Sequence, residues 1–184
     1  MQTAFHVRRA RRPLTGVAML FAALALPASA LAATIEGTAD PDRLVGTADQ
    51  DTILGFAGND VVYGLGGGDR IAGGSGNDEI RGGSGADAIS GGDGGDWLGG
   101  GPGGDRIHGG GGPDTIYGAD GADQIAGGTG RDLVYGGYGN DVIRLGRDNA
   151  PDAVRCGPGW DVAYLGRYDI ADASCERVVR TLED

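Results

Sequence analysis

The chain has no lysine, few aromatic residues and only two cysteines. Its 15 basic residues, all arginine, stand against 26 acidic residues, so the formal net charge is −11. Such an acidic chain repels nucleic acids and anionic membrane surfaces and attracts cations. Three Phe, two Trp and six Tyr are too few to fill a large conventional core, and seven prolines are far too few for a collagen-like triple helix. These shortages argue against a nucleic-acid-binding protein and exclude a collagen.

Residues 1–33 are predicted to be a signal peptide. Four arginines precede an apolar run at 14–26, and the small residues of 28–32 that follow suit a signal peptidase. The apolar run is shorter than the ~20 residues that span a bilayer, so a membrane anchor is the weaker alternative. We therefore expect a secreted protein that is cleaved near Ala30 to Ala33 and does not span a membrane. Removing this segment leaves 11 Arg against 26 acidic residues, a net charge of −15.

Glycine is the abundant residue, with 40 of 184 positions, about three times its usual share of roughly 7%. This composition is typical of a disordered chain or of a repeat architecture. A nine-residue repeat runs without a gap through residues 37–144, in twelve copies. Its first position is always Gly, its sixth always Asp and its eighth always a large aliphatic residue. Such regularity indicates a repeat architecture.

The sixth position of the repeat supplies the candidate metal ligands. These residues are Asp42, Asp51, Asp60, Asp69, Asp78, Asp87, Asp96, Asp105, Asp114, Asp123, Asp132 and Asp141. The fourth position is Gly in ten copies, but Asp40 and Asp49 occupy it in the first two. We therefore expect the first two loops to be the exceptions to full metal occupancy.

The unit reads G-G-x-G-x-D-x-U-x, with U a large aliphatic residue, and its clearest copies are residues 73–81 and 82–90. It resembles the calcium-binding nonapeptide of the RTX (haemolysin-type) family. The resemblance covers residues 37–144 and implies an all-β fold, a right-handed parallel β-roll of about six coils. It also implies Ca²⁺ ions between neighbouring loops on each side, held by the sixth-position carboxylates and by turn carbonyls. Five gaps on each side would hold up to about ten ions.

Elementary chemistry agrees with this interpretation. Glycines at positions 1, 2 and 4 permit positive φ, and the final x-U-x reads as a short strand with U pointing inward. The aliphatic column is almost the whole core, and its burial does not offset the entropy of ordering so many residues. Stacked aspartates repel one another without a counter-ion, and calcium prefers carboxylate and carbonyl oxygens. We therefore predict that calcium binding and folding are coupled. The alternative, that Asp only caps turns, is disfavoured.

Aromatic residues at outward positions fall on one sheet of the expected roll. They include Tyr63, Trp97, Tyr117 and Tyr135. A cross-strand ladder that stabilises the sheet is the favoured interpretation. The other is a docking face for a partner, a second copy or a glycan.

Residues 145–184 are predicted to form a capping segment, because the nine-residue register dissolves there. Residues 157–163 look like a repeat one residue short. Cys156 and Cys175 are expected to pair in an exported chain and to staple this cap over the open end of the roll.

We expect no enzymatic activity. The chain has no H-E-x-x-H, no G-x-S-x-G and no lysine for a phosphate-binding loop, and the residues flanking the repeats are too few for a catalytic domain. The sequence therefore favours a secreted calcium-binding repeat protein with a structural, extracellular role. The alternative is a calcium-gated adhesion or binding module for a cell-surface, matrix or glycan partner.

Overall fold

The computed structural model describes residues 32–146 and 148–180, together with the short strand at Ala18 and Met19. Apart from that strand and residues 32 and 33, the predicted signal peptide lies outside the described residues. In the described ranges the structure is all-β, without a helix. No apolar helix of membrane-spanning length occurs there.

The described residues form eighteen strands, and the chain enters two sheets in alternation. The strands are β1 (Ala18–Met19), β2 (Thr34–Glu36), β3 (Asp42–Val45), β4 (Thr52–Ala57), β5 (Val61–Gly66), β6 (Arg70–Ser75), β7 (Glu79–Ser84), β8 (Ala88–Asp93), β9 (Trp97–Pro102), β10 (Arg106–Gly111), β11 (Thr115–Asp120), β12 (Gln124–Thr129), β13 (Leu133–Tyr138), β14 (Val142–Arg144), β15 (Ala153–Arg155), β16 (Val162–Leu165), β17 (Ile170–Ala171) and β18 (Arg177–Arg180).

Odd-numbered strands make one nine-stranded sheet, the odd sheet, and even-numbered strands make the other, the even sheet. Each strand pairs in parallel with the strand two along the chain, so the chain winds as a parallel β-solenoid of about eight turns. The predicted all-β parallel roll is confirmed. The predicted six coils are too few, because β2 before the repeats and β15 to β18 after them join the same two sheets.

The strands are longer than the predicted three residues. Strands β4 to β13 each have six residues and run from position 7 of one repeat to position 3 of the next. Parallel pairing continues past the aliphatic residue, as Gly74 and Ser75 pair with Gly92 and Asp93 one coil on. The glycine-rich half of the repeat therefore forms strand as well as turn.

The aliphatic column forms the core, as predicted. Successive eighth positions on one side lie opposite each other, for example Ile53, Ile71 and Ile89. All twelve are at most 3% exposed: Leu44, Ile53, Val62, Ile71, Ile80, Ile89, Leu98, Ile107, Ile116, Ile125, Val134 and Ile143. Ile35 before them, and Val154 and Ala163 after them, continue the same two stacks.

The glycines at positions 2 and 4 adopt the expected positive φ, for example Gly74 at 120° and Gly76 at 129°. The same prediction is wrong for position 1. The φ of Gly73 lies outside the left-handed region. A Cβ on this residue would, however, come within 3.0 Å of both Asp78 Oδ2 and the Gly91 carbonyl oxygen. Position 1 therefore requires glycine for space rather than for backbone conformation.

The predicted disulfide between Cys156 and Cys175 is present. Cys156 lies one coil after Gly136 in the first-position column, since its carbonyl accepts the hydrogen bond from the Gly137 N–H and Val154 pairs with Val134. Residues 156–164 are therefore a full nine-residue repeat with Cys as its first residue, not a repeat one residue short. The disulfide joins this repeat to the last coil.

Candidate metal centres in the turns

The sixth-position aspartates lie where the turns meet the strands, and all twelve are buried. Along each side of the roll, the backbone N–H of one aspartate donates to Oδ1 of the aspartate 18 residues later, as from Asp60 to Asp78 at 2.8 Å. Across the repeats these bonds measure 2.7–3.0 Å. The predicted column is therefore two parallel carboxylate ladders, one beside each sheet.

Both ladders continue beyond the repeats. Asp132 and Asp141 donate from their N–H groups to Asp152 and Asp161, each 20 residues later and at 2.8 Å. Asp152 in turn donates to Asp169 at 3.2 Å, and Asp161 donates to Glu176 Oε2 at 2.8 Å. The spacing of these acids is irregular, so the nine-residue pattern did not predict them as members of the column. Allowing Cys at the first position would have identified Asp161.

The second carboxylate oxygen, Oδ2, lacks a hydrogen-bond partner along most of each ladder. Twelve aspartates in the described residues have a buried Oδ2 with no hydrogen-bond partner: Asp60, Asp69, Asp78, Asp87, Asp96, Asp105, Asp114, Asp123, Asp132, Asp141, Asp152 and Asp161. Leaving a buried polar oxygen unsatisfied costs about 1–3 kcal/mol, and more when it is charged. A row of such atoms therefore needs an explanation outside the protein's own donors.

Backbone carbonyls lie beside these oxygens. At Gly100, the space where a Cβ would sit is within 3.0 Å of both Asp105 Oδ2 and the Gly118 carbonyl oxygen of the next coil. Carboxylate and carbonyl oxygens are the donors that Ca²⁺ prefers. Within the described ranges, no three His, Cys, Asp or Glu side chains cluster as they do in a compact all-side-chain metal site. The donor set of the turns fits calcium, bound by carboxylate and backbone oxygens together.

Burial raises the pKa of these carboxyl groups. The pKa rises to about 7 for Asp105, Asp114 and Asp152 and to about 6 for Asp141. Desolvation is the main cause, and the hydrogen bond from the backbone N–H of the previous coil offsets part of it. Neighbouring carboxylates raise the pKa further. The turns alone therefore disfavour the charged form, whereas a cation would favour it.

A comparison with protein families decides the assignment. The profile described as RTX calcium-binding nonapeptide repeat (four copies) matches residues 36–71, 63–98, 99–134 and 117–149, more than half of the chain. The chain belongs to this RTX family. No curated protein matched in a sequence comparison. RTX repeats bind Ca²⁺, so calcium is the ion expected in the turns of this roll.

The first two RTX loops differ from the rest. In the second, the Thr47 N–H and hydroxyl donate to Asp51 Oδ2 at 2.5 and 3.0 Å. In the first, Thr38 makes the same two bonds to Asp42 Oδ2 at 2.6 and 2.9 Å. Asp40 and Asp49 predicted that these loops are exceptions, but the pattern did not identify the two threonines, whose role depends on where the side chain points.

The predicted partner-face residues form one column along the odd sheet of the RTX roll. The Tyr117 and Tyr135 rings stack with centroids 4.7 Å apart, and Trp97 lies 5.4 Å from Tyr117. The Arg81 guanidinium lies over both Tyr63 and Trp97, at 5.3 and 5.2 Å from the ring centroids. These ring contacts support the interpretation as a stabilising ladder. The docking face remains a prediction.

Proposed function

We propose that this RTX protein is exported and that its roll folds as calcium binds, giving it a structural, non-catalytic role outside the cell. The observation that carries the proposal is the row of buried, unpartnered Oδ2 atoms in the turns. Folding brings these charged oxygens out of water, and the chain provides no donor for them. A divalent cation between neighbouring turns would supply that interaction and offset the repulsion along each ladder.

Each part of the repeat has a task in this proposal. The sixth-position aspartate presents Oδ2 to the ion while its Oδ1 binds the neighbouring coil. The first-position glycine leaves space between Oδ2 and a carbonyl of the next coil, and glycines 2 and 4 allow the tight turn. Because these contacts join two coils, an ion would bind only where coils are stacked, and binding and folding become one event.

Export fits the same proposal. RTX proteins are typically secreted, and residues 1–33 have the character of a signal peptide. Calcium concentrations outside cells match the dissociation constants of the weakest oxygen-ligand sites, about 10⁻⁴ to 10⁻³ M. We infer that the chain remains unfolded before export and folds after it.

The direct test is a calcium titration of the purified, processed chain followed by far-UV circular dichroism. We expect a cooperative transition from coil to strand that EGTA reverses. A chain that is already fully compact after exhaustive chelation would exclude calcium-coupled folding.

A calcium-gated binding module is the second candidate, and the aromatic column on the odd sheet favours it. Replacement of Trp97, Tyr117 and Tyr135 by Ser should abolish calcium-dependent binding to immobilised cell-surface or matrix glycans, while calcium-induced folding persists. Unchanged binding by the triple variant, or binding unaffected by EGTA, would remove this candidate.

A further inference from the structure

We propose that the calcium-binding carboxylates of this chain are the twelve from Asp60 to Asp161, and not the twelve of the nonapeptide repeats. Two of the repeat aspartates, Asp42 and Asp51, then bind no ion: the carboxylate of each closes its own turn, and its N–H joins the ladder. Two aspartates outside the repeats, Asp152 and Asp161, form additional calcium sites. This inference rests on the proposed function and specifies which residues carry it out.

At the start of the roll, the chain itself satisfies the carboxylates. Thr47 donates to Asp51 Oδ2 from both its N–H and its hydroxyl, and that hydroxyl also accepts from the Asp49 N–H at 3.2 Å. The loop is therefore closed by its own hydrogen bonds, as is the equivalent loop at Thr38. A cation at either Oδ2 would have to displace two donors, whereas Oδ2 in the ten later repeats has no hydrogen bond to displace.

Beyond the repeats, the opposite holds. Asp152 and Asp161 are 1% and 0% exposed, and the Oδ2 of each is buried without a partner. Their Oδ1 atoms accept ladder bonds just as those of the repeat aspartates do. The coil that carries Asp161 also supplies a carbonyl, since the Cys156 oxygen lies beside the same space as Asp141 Oδ2. The turn at Asp161 therefore offers the same donor set as the repeats, and the turn at Asp152 offers the same buried, unpartnered carboxylate oxygen.

At the far end, the chain closes the odd ladder, and the even ladder ends at a side chain that water reaches. Asp169 Oδ2 accepts from the Gly166 N–H at 2.6 Å, and the even ladder ends at Glu176, an exposed side chain. The unpartnered oxygens thus number six on each side, which leaves five gaps on each side. The expected number of ions stays at about ten, but each row of five gaps begins and ends one coil nearer the C-terminus than the repeats alone indicate.

There is a physical reason why carboxylates at the ends of the ladders accept hydrogen bonds from donors of their own turn. We call such turns self-closed. An ion between two turns needs carboxylates from both, and the acid at the end of a ladder has an acidic neighbour on one side only. A carboxylate at the end therefore lacks half of its potential site, and internal donors satisfy it instead. The two threonines and the Gly166 N–H supply those donors.

The test counts bound calcium in the processed chain by equilibrium dialysis. The variants are Asp152→Asn, Asp161→Asn, Asp51→Asn as the matched control, and Asp105→Asn as the reference for an inner site. Asn keeps the Oδ1 acceptor, so each ladder bond can persist. We expect Asp152→Asn, Asp161→Asn and Asp105→Asn each to lose at least one bound ion, and Asp51→Asn to keep the full number.

Loss of an ion in Asp51→Asn, or full stoichiometry in Asp152→Asn and Asp161→Asn, would overturn the inference. If the unmodified chain binds no calcium at all, the proposed function itself fails. Because a variant could fail to fold, a second measurement uses the unmodified chain, crystallised with calcium. Anomalous difference peaks are expected beside Oδ2 of Asp152 and Asp161 and not beside Asp42 or Asp51; the reverse pattern would overturn the inference.

Discussion

The turns of the first two repeats and the turns of the later repeats use the same carboxylate in two ways. Both carboxylate oxygens of Asp51 accept hydrogen bonds from the chain, whereas Asp105 has Oδ1 hydrogen-bonded to the Asp87 N–H and Oδ2 buried without a partner. The sequence difference behind this is small, a Gly-Thr-Ala-Asp loop in place of a glycine-rich one. The comparison teaches that the fold can close a turn without metal, and that ten repeats do not do so.

Calcium removal is expected to have the largest effect and to separate the two kinds of turn. With calcium chelated, the inner turns keep a row of unsatisfied buried oxygens, and we expect the roll to lose nearly all its strand signal by circular dichroism. Hydrogen exchange at intermediate calcium should show whether the amides of the first two turns or those of the inner turns retain protection longer. Equal, undiminished protection of all coils in EGTA would contradict the comparison.

Acid should partly replace calcium in the inner turns. Their pKa values are higher in the folded chain, about 6 to 7 at Asp105, Asp114, Asp141 and Asp152, than the usual value near 4 in an unfolded chain. The folded state therefore binds more protons than the unfolded state between these values, and stability must fall as the pH rises through that range. The stabilisation is fully present below about pH 4 and is lost above about pH 7.

The measurement is circular dichroism of the calcium-free chain across this range. More strand signal at pH 4 to 5 than at pH 7.5 is the expected result. A calcium-free chain that gains structure as the pH rises would show that the carboxylates are not buried as described.

Adjacent glycines allow a sharper test of the inner site. Gly100→Ala places a methyl group between Asp105 Oδ2 and the Gly118 carbonyl, whereas a methyl group at Gly99 meets the outer edge of the Trp97 ring at 3.3 Å and the Ile80 carbonyl oxygen at 3.9 Å. We expect Gly100→Ala to destabilise the calcium-loaded roll by about 1–3 kcal/mol or more, as overpacking does, and to raise the calcium concentration at the folding midpoint. Gly99→Ala should be close to neutral in the same thermal and calcium titrations. Similar effects of the two variants would argue against an ion-binding space beside the first-position glycine.

The smallest expected effect concerns the self-closed turn. Thr47→Val removes the hydroxyl donor to Asp51 but keeps the shape and the N–H, so the calcium-loaded roll should lose about 1.5 kcal/mol, the low end for a hydrogen bond to a charged group. Thr47→Ser retains the hydroxyl and is the control. Thermal unfolding in saturating calcium measures both. A Val variant as stable as the Ser variant would mean that the hydroxyl contributes nothing to this turn.

Much of the fold could be predicted from the sequence because each column of the repeat meets one physical requirement. The aliphatic column predicted the core, the aspartate column predicted the ladders, and two cysteines predicted one disulfide. What escaped prediction depends on contacts between coils. The first-position glycine is needed because Asp78 Oδ2 and a carbonyl of the next coil approach Gly73, and one repeat read alone contains no such neighbour.

The ends of the site escaped prediction for related reasons. Asp152 follows a turn with two inserted residues, so it falls outside the nine-residue spacing. In the folded chain it nevertheless accepts the ladder bond from the Asp132 N–H. Thr38 and Thr47 occupy the second position of the repeat, which is glycine in most copies. Only the orientation of their hydroxyl groups shows that they donate to the carboxylate of the same turn. Sequence spacing predicts which residues recur, but not which of them are satisfied within the chain.

The ladder bond from each aspartate to the one 18 residues on has a consequence for how such a rod can change in length. Every inner coil offers the same donors on its lower face and the same acceptors on its upper face. A duplication of 18 residues within 55–144 would therefore lengthen the rod by one strand spacing, about 4.8 Å, and leave both termini chemically unchanged. Rod length and ion capacity would then grow together, in steps of one coil.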